Sequence, residues 1–268
     1  MQFWVIAVID SETKLLCLLG NPVAHSKSPL LHNALIKRHN LNLVYLMFRT
    51  SNLDEALSGL KAINFLGANI TIPYKSEAMK FLDRIDGDGK ACGAINTVLN
   101  KKGKLYGFNT DVYGIRKSLN VRKRKVLVMG AGGAARAACL ALKDNEVVVV
   151  NRNYSRACRL EKDFCCRAEP FKNLGAIMKK SDVVVNATPV GMFPHCDASL
   201  IPKRLFEKNH VVFDMVYNPV KTKLVRDAES CGARTISGIE MFLHQATKSF
   251  EIWTGIMPEI ESARKVIV

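Results

Sequence analysis

Two groups of residues in this sequence have the types and spacing for chemistry. The first is a glycine turn, Gly130-Ala131-Gly132-Gly133-Ala134, set between a β-branched run (Val126 to Met129) and a helical stretch from Arg136 to Lys143. A second β-branched run, Glu146 to Val150, closes the unit. Strand, glycine turn, helix, strand is one βαβ unit. Its glycines let the backbone approach an anion closely, and its helix start points free N–H groups at a pyrophosphate. The alternative is a tight turn in an ordinary parallel sheet. The position of the glycines between strand and helix favours a dinucleotide site. An NAD site has an acid about 20 residues beyond the first glycine, to hold the ribose 2′-hydroxyl. Here the strand ends in Asn151-Arg152-Asn153, with Arg156 one turn on. Guanidinium groups pair with a 2′-phosphate, whereas a carboxylate would repel it, so the expected cofactor is NADP. The plainer reading of Arg152 and Arg156 is two solvated surface charges.

The second group suits proton transfer and the binding of a small polar acid. A carbonyl reduced by hydride becomes an alkoxide and must be protonated. Lys75, just past a strand ending at Pro73, and Asp111, at a helix start, would form a coupled proton-transfer pair. Their bland alternatives are a solvated lysine and an N-cap. Ser26 and Ser28 lie near a helix N-terminus, where a carboxylate is favoured. Thr71 and Asn96 lie at strand ends and Gln245 on the last long helix; each could instead be a turn-former, a cap or a satisfied core amide. His25 and His32 flank the serine turn without a ligand partner at telling spacing, so no metal is expected.

These residues need an α/β frame, and the sequence supplies one. Apolar strands are expected at 15–19, 44–48, 67–73, 183–186 and 211–214, and near 235–236. A hairpin is expected from 94–99 and 104–108 around Lys101-Lys102-Gly103. Helices are expected over 30–39, 52–63, 75–82, 110–119, 155–163, 224–230 and 238–254, with Ser28 as N-cap and Pro29 as first residue of the first. Residues 86–90 read as a polar loop. Alternation of strand and helix makes both halves α/β.

The chain has 268 residues, 48% of them hydrophobic, and a formal net charge of +15. That length supports one large or two ordinary domains. The positive balance favours anionic small molecules. Apart from Arg122-Lys123-Arg124-Lys125 the basic residues are dispersed, with no aromatic-interleaved stripe, so no nucleic-acid partner is expected. The 8 cysteines form no CxxC pair and read as reduced thiols of a cytoplasmic protein. Met1 to Ile9 reads as an edge strand or extension rather than a signal peptide, and no apolar run is long enough for a membrane span. The sequence does not set the oligomeric state; a homodimer is one option.

Motifs in order along nearly the whole chain resemble the shikimate dehydrogenase family. They are Gly20-Asn21-Pro22-Val23-Ala24-His25-Ser26-Lys27-Ser28-Pro29, Gly67 through Pro73-Tyr74-Lys75, Gly93-Ala94-Ile95-Asn96-Thr97 and Gly107-Phe108-Asn109-Thr110-Asp111. The glycine turn follows, then Asn186-Ala187-Thr188-Pro189-Val190-Gly191-Met192, Asp214-Met215-Val216-Tyr217-Asn218-Pro219 and Gly238 through Gln245-Ala246. The resemblance implies reversible, NADP-dependent interconversion of 3-dehydroshikimate and shikimate, a step of aromatic amino-acid and chorismate biosynthesis. It implies a substrate domain at 1–112, on which 239–268 packs back, and a Rossmann-type, doubly wound dinucleotide domain at 113–238, around a cleft. By position Lys75 resembles the catalytic lysine and Asp111 its partner. Ser26, Ser28 and Tyr217 resemble the substrate-carboxylate residues, and Thr71, Asn96 and Gln245 the hydroxyl-binding ones. Gly130, Ala131, Gly132, Gly133, Ala134, Asn151, Arg152, Arg156, Met215 and Gly238 fall where the family touches its cofactor. Two positions depart from the family pattern: Asn153 stands where Thr is usual, and Gly87 where an acid is common. The alternatives are a quinate/shikimate dehydrogenase with relaxed substrate or NAD use, and a non-catalytic dinucleotide-binding sensor on the same fold.

Overall fold

The computed structural model describes residues 9–267; the expected edge strand or extension at Met1 to Ile9 lies, through residue 8, outside the described residues. The chain begins with β1 (Lys14–Gly20), α1 (Ser28–Arg38), β2 (Leu43–Arg49), α2 (Leu53–Ala62) and β3 (Gly67–Ile70). It continues with β4 (Arg84–Ile85), α3 (Gly87–Cys92), β5 (Thr97–Lys101), β6 (Lys104–Phe108) and α4 (Thr110–Ser118). Then follow β7 (Lys125–Met129), α5 (Gly133–Ala141), β8 (Glu146–Asn151), α6 (Tyr154–Asp163), β9 (Cys166–Pro170) and α7 (Leu174–Met178). The last elements are β10 (Val183–Asn186), β11 (Val211–Asp214), α8 (Lys223–Ser230), β12 (Arg234–Ile236), α9 (Gly238–Thr254) and α10 (Ile260–Ile267). Described residues 9–90, 94–110 and 246–267 form one compact unit, and 91–93 with 111–245 form a second.

The first unit holds a mixed six-stranded sheet in the order β2-β1-β3-β5-β6-β4. β2, β1 and β3 are parallel, while β5 runs antiparallel to both β3 and β6. The β5–β6 hairpin turns at Lys102 (φ 53) and Gly103 (φ 80), two consecutive left-handed residues whose twist matches that of the strands. α2 starts where the Asn52 side chain accepts the Glu55 N–H at 3.3 Å, with Asp54 and Glu55 in the first turn. Leu19, Phe65, Ile70, Ile95, Val98 and Leu105 form the core under this sheet.

On another part of the same unit the core is aromatic and polar. His32 stacks on Tyr45 with centroids 4.4 Å apart and meets Trp253 edge-on at 5.2 Å. The Trp253 Nε1–H donates to the Val98 carbonyl at 2.9 Å, and Gly67 packs so closely on that indole that a Cβ would collide with it. The Tyr45 hydroxyl donates to Asn69 Oδ1 at 2.7 Å, and Asn69 Nδ2 donates to Thr97 Oγ1 and Ser249 Oγ, each at 3.2 Å. This places the second half of α9 against the strands.

The second unit is a parallel sheet, β12-β11-β10-β7-β8-β9. Strand order reverses between β7 and β10, which puts the topological switch point at the C-terminal ends of those two strands. The central strands are buried on both faces, which is why they read as continuous Val-rich runs without alternation. Leu127, Val150, Val184, Phe206, Val212 and Leu224 fill one face.

Local departures from expectation have local causes. Residues 75–82 form only a 3-10 helix at Glu77–Phe81 (5 residues), so Lys75 precedes it: its carbonyl accepts the Ile95 N–H at 2.8 Å, tying it to the sheet. The expected loop at 86–90 begins α3 instead, because the Asp86 side chain accepts the Gly89 N–H at 2.7 Å and caps the turn. Ser28 is the first residue of α1 rather than its N-cap, a place Lys27 occupies without a side-chain cap bond. Asp111 is likewise the second residue of α4, not its cap. β4 and α7 are too short for periodicity to reveal. All 8 cysteines are free. Among the described residues no helix is long and apolar enough to cross a membrane.

His32 is 0% exposed, and neither ring nitrogen has a hydrogen-bond partner among the described residues. Burial holds its imidazole down to about 3, from an ordinary 6.5. Below pH 6.5 the unfolded chain therefore takes up a proton that the folded chain refuses until about pH 3. The stability this contributes is complete above the unfolded pKa and is lost as pH falls. Between pH 7 and pH 5 the loss amounts to about 2 kcal/mol. Urea unfolding at both pH values is expected to show that extra loss in wild type and not in His32→Phe. Equal losses in the two proteins would assign the acid sensitivity elsewhere.

Candidate active site

In the first unit the candidate residues gather where β1, β3 and β5 meet their loops. The Ser26 hydroxyl donates to Ser28 Oγ at 3.1 Å and accepts the Ser28 N–H at 3.2 Å, so the two side chains sit together at the start of α1. Thr71 follows β3, held by its N–H to the Leu19 carbonyl at 2.9 Å. Its methyl fills the place a Cβ on Gly20 would need, which explains glycine at the end of β1. Ile95 is bonded to the Lys75 carbonyl, so Lys75 and Asn96 stand on adjoining segments. Asn96 is 3% exposed; its Oδ1 accepts the Thr110 N–H at 2.8 Å, and its Nδ2 donates to Thr110 Oγ1 at 2.9 Å. Thr110 Oγ1 and Thr97 Oγ1 are in turn bonded to Ser249 Oγ, at 3.1 and 2.8 Å. The Asn96 amide is thus oriented by buried hydroxyls, a role for Ser249, Thr97 and Thr110 that the sequence did not suggest. Each is an ordinary small polar residue, and only the fold brings them together.

The second unit carries the glycine turn. Gly130 has φ +116, and a Cβ there would lie 2.9 Å from the Ala187 carbonyl and 3.0 Å from Thr188 Cγ2. Gly132 occupies the N-cap position of α5, and a Cβ there would meet nothing within 4 Å. The helix start has no side-chain cap and no acid in its first turn, so its N–H groups and dipole face outward. An open pocket of about 520 Å³ is lined by Asn151, Arg152, Asn153 and Arg156 at the end of β8. Neither arginine has an ion pair with a carboxylate among the described residues. Asn151 Nδ2 donates to the Asn153 carbonyl at 2.9 Å, and Asn153 Oδ1 accepts the Ser155 hydroxyl at 2.7 Å. Gly87, where an acid is common in the family, opens α3, and a Cβ on it would meet nothing within 4 Å.

Beyond β11 the chain folds back over the same end of the sheet. A Cβ on Gly238 would lie 2.5 Å from the Val216 carbonyl and 2.7 Å from the Met215 backbone, so glycine there permits close contact with the Met215 segment. Tyr217 stacks on Phe242 of α9 at 4.6 Å, and Gln245 Nε2 donates to the Phe242 carbonyl at 3.1 Å. Gly114 packs against Met241 and Gln245, one helical turn after Asp111 on α4, itself 4% exposed. Asp214 is fully buried, and desolvation raises its carboxyl above the usual range despite hydrogen bonds from Thr222, Val216 and Asn186. No group of His, Cys, Asp and Glu among the described residues could hold a metal ion.

Comparison with known proteins covers both units. The pattern for the shikimate dehydrogenase substrate binding domain matches residues 18–98. That for shikimate / quinate 5-dehydrogenase matches 115–214, and that for the shikimate 5'-dehydrogenase C-terminal domain matches 238–268. A shikimate dehydrogenase (NADP(+)) of Methanococcus maripaludis is 43% identical over 275 residues, covering 97% of this chain and 99% of its own. A crystal structure of a shikimate dehydrogenase in complex with NADP+ superposes with a TM-score of 0.91 at 37% identity, over 97% of this chain and 96% of that one. The Thermus thermophilus shikimate 5-dehydrogenase, solved with NADP(H) and shikimate, gives 0.85 at 35% identity, over 94% of this chain and 99% of that one. Matched in both units and along nearly its whole length, the chain belongs to the shikimate dehydrogenase family.

Proposed function

We propose that the protein reduces 3-dehydroshikimate to shikimate with NADPH, reversibly. One conjunction supports this reading. An acid-free arginine pocket and an uncapped helix start suited to NADP occur in a chain similar along nearly its whole length to NADP-dependent shikimate dehydrogenases. The α5 N–H groups behind Gly130–Ala134 would hold the diphosphate, and Arg152 and Arg156 the 2′-phosphate, with Asn151 beside them. Met215 and Gly238 would also touch the cofactor. When bound, NADPH supplies the hydride for the carbonyl carbon of the substrate.

The chain's own residues do the rest. Lys75 donates a proton to the oxygen that becomes the new hydroxyl, and takes one from it in the reverse direction. Asp111 holds the neighbouring substrate hydroxyl. Ser26, Ser28 and Tyr217 hold the substrate carboxylate with hydroxyl donors, which a carboxylate requires. Thr71, Asn96 and Gln245 bind the ring hydroxyls. The orientation of the Asn96 amide, imposed by Thr110, leaves less freedom to lose on binding.

Lys75→Ala is expected to lower kcat by about 10²–10⁴-fold while NADP still binds. Turnover assays at saturating shikimate with a parallel NADP titration check this, and a variant keeping half its kcat would remove Lys75 from the reaction. Ser26→Ala or Ser28→Ala should chiefly raise the KM for shikimate, by roughly tenfold for one charge-assisted hydrogen bond. Unchanged shikimate kinetics in both would leave the serines as turn and helix-start residues only.

Cofactor choice rests on the pocket at Arg152. The preference for NADP over NAD in kcat/KM is expected to be tenfold to a few hundredfold, the effect of about 1.5–3 kcal/mol per charged hydrogen bond. Arg152→Ala should erase most of that preference by weakening NADP, with NAD nearly unaffected. Steady-state kinetics with both cofactors, on shikimate and on quinate, measure this directly. Equal wild-type use of NAD and NADP would point instead to the quinate/shikimate type of dehydrogenase.

A further inference from the structure

Asp214 closes β11 and has no exposure to solvent. Its Oδ1 accepts the Asn186 Nδ2–H at 2.9 Å and the Val216 N–H at 3.0 Å, while its Oδ2 accepts the Thr222 hydroxyl at 2.5 Å. Each partner belongs to a different segment. Val216 is in the stretch that carries Met215 and Tyr217. Thr222, fully buried, caps α8 by accepting the Val225 N–H at 3.3 Å. Asn186 ends β10, and its own Oδ1 accepts the Thr188 N–H at 3.1 Å and the Thr188 hydroxyl at 2.7 Å. Thr188 and Ala187 in turn flank Gly130. One carboxylate therefore joins the end of β10, the end of β11 and the start of α8.

We propose that Asp214 is a positioning residue whose carboxylate sets the Met215–Tyr217 segment and the Asn186–Val190 loop in the arrangement that the cofactor and the substrate carboxylate require. This rests on the roles proposed above for Met215 and Tyr217. The Asn186 Nδ2–H and the Val216 N–H can only donate, so Oδ1 must be an acceptor, while the Thr222 hydroxyl donates to Oδ2. Asparagine could keep its oxygen on the Oδ1 side, but its NH₂ would then face the Thr222 hydroxyl, which would have to reverse its hydrogen bond. An apolar residue would leave the Asn186 amide and the Val216 N–H buried without their partner. The residue reaches no reacting atom; it acts through the two loops it joins.

Thr222→Val removes one donor at nearly constant volume, and Thr222→Ser restores the hydroxyl. With folded fraction controlled by urea unfolding, Thr222→Val is expected to raise the KM for shikimate and for NADP by roughly tenfold each, the effect of one hydrogen bond to a charged group. Thr222→Ser should stay within about twofold of wild type on the same scale. Hydrogen exchange of peptides covering 186–192 and 214–219 should quicken in Thr222→Val and not in Thr222→Ser. Wild-type KM values and wild-type exchange in Thr222→Val would overturn the proposal, as would an equal effect of the two variants. Tyr217→Phe, run in parallel, tests the underlying reading. Unchanged shikimate KM there together with faster loop exchange in Thr222→Val would remove Tyr217 from substrate binding and leave the positioning by Asp214 standing.

Discussion

The second unit depends on a backbone contact too close for any side chain. At Gly130 the end of β7 comes so near Ala187 and Thr188 that a Cβ would lie 2.9 Å from a carbonyl oxygen, and φ is +116, where L side chains are strained. The order β12-β11-β10-β7-β8-β9 makes this approach necessary, because β7 and β10 are neighbours in the sheet while the chain between them makes the excursion through β8 and β9. In open α/β sheets ligands bind where the strand order reverses, and the glycine turn lies at that point. The helix that follows inherits its direction from that turn. Its N–H groups point outward because Gly132, at the N-cap, offers no side chain to satisfy them.

In the first unit a different interaction has the equivalent place. Small hydroxyls and amides are packed where a core would ordinarily be apolar: Tyr45, Asn69, Thr97, Thr110 and Asn96 are bonded in that order, and Ser249 is bonded to Asn69, Thr97 and Thr110. Such a network stabilises only when its members are satisfied, so it specifies one arrangement sharply. One end is anchored by Tyr45 in the aromatic stack with His32 and Trp253. The other end fixes the Asn96 amide. Apolar side chains would pack as densely there but could not orient an amide.

Much of this was legible because strands buried on both faces leave long Val-rich runs, and because a glycine turn between such a run and a helix has few other uses. β10 and β11 have the bounds that their sequences suggested, as does α9. Legibility failed where a single long-range or side-chain bond decides the local structure. The five-residue 3-10 helix after Lys75 is short because the Lys75 carbonyl is bonded to Ile95, 20 positions away in sequence but adjacent in space. α3 exists despite its glycines because one carboxylate caps it. The residues that orient Asn96 and Asp214 were less legible for the same reason: Ser249 and Thr222 have no telling spacing and acquire meaning only from their partners, and Asn186 was marked only by the motif it heads.

The tip of β8 shows how a departure from a family pattern can be absorbed. Asn153 stands where threonine is usual, and its Oδ1 is engaged by the Ser155 hydroxyl. Asn151 spends its amide on the Asn153 carbonyl, which closes the turn. The two asparagines thus shape the loop through neutral hydrogen bonds and place no negative charge at its tip. The guanidinium groups of Arg152 and Arg156 stay in the open pocket with no carboxylate from the described residues to neutralise them. Two permanent positive charges on one turn repel each other, and a dianion relieves that repulsion as well as pairing with each. Selectivity at such a tip therefore depends on what the neighbouring residues leave uncharged, and replacing Asn153 by aspartate would alter it more than the change from threonine does.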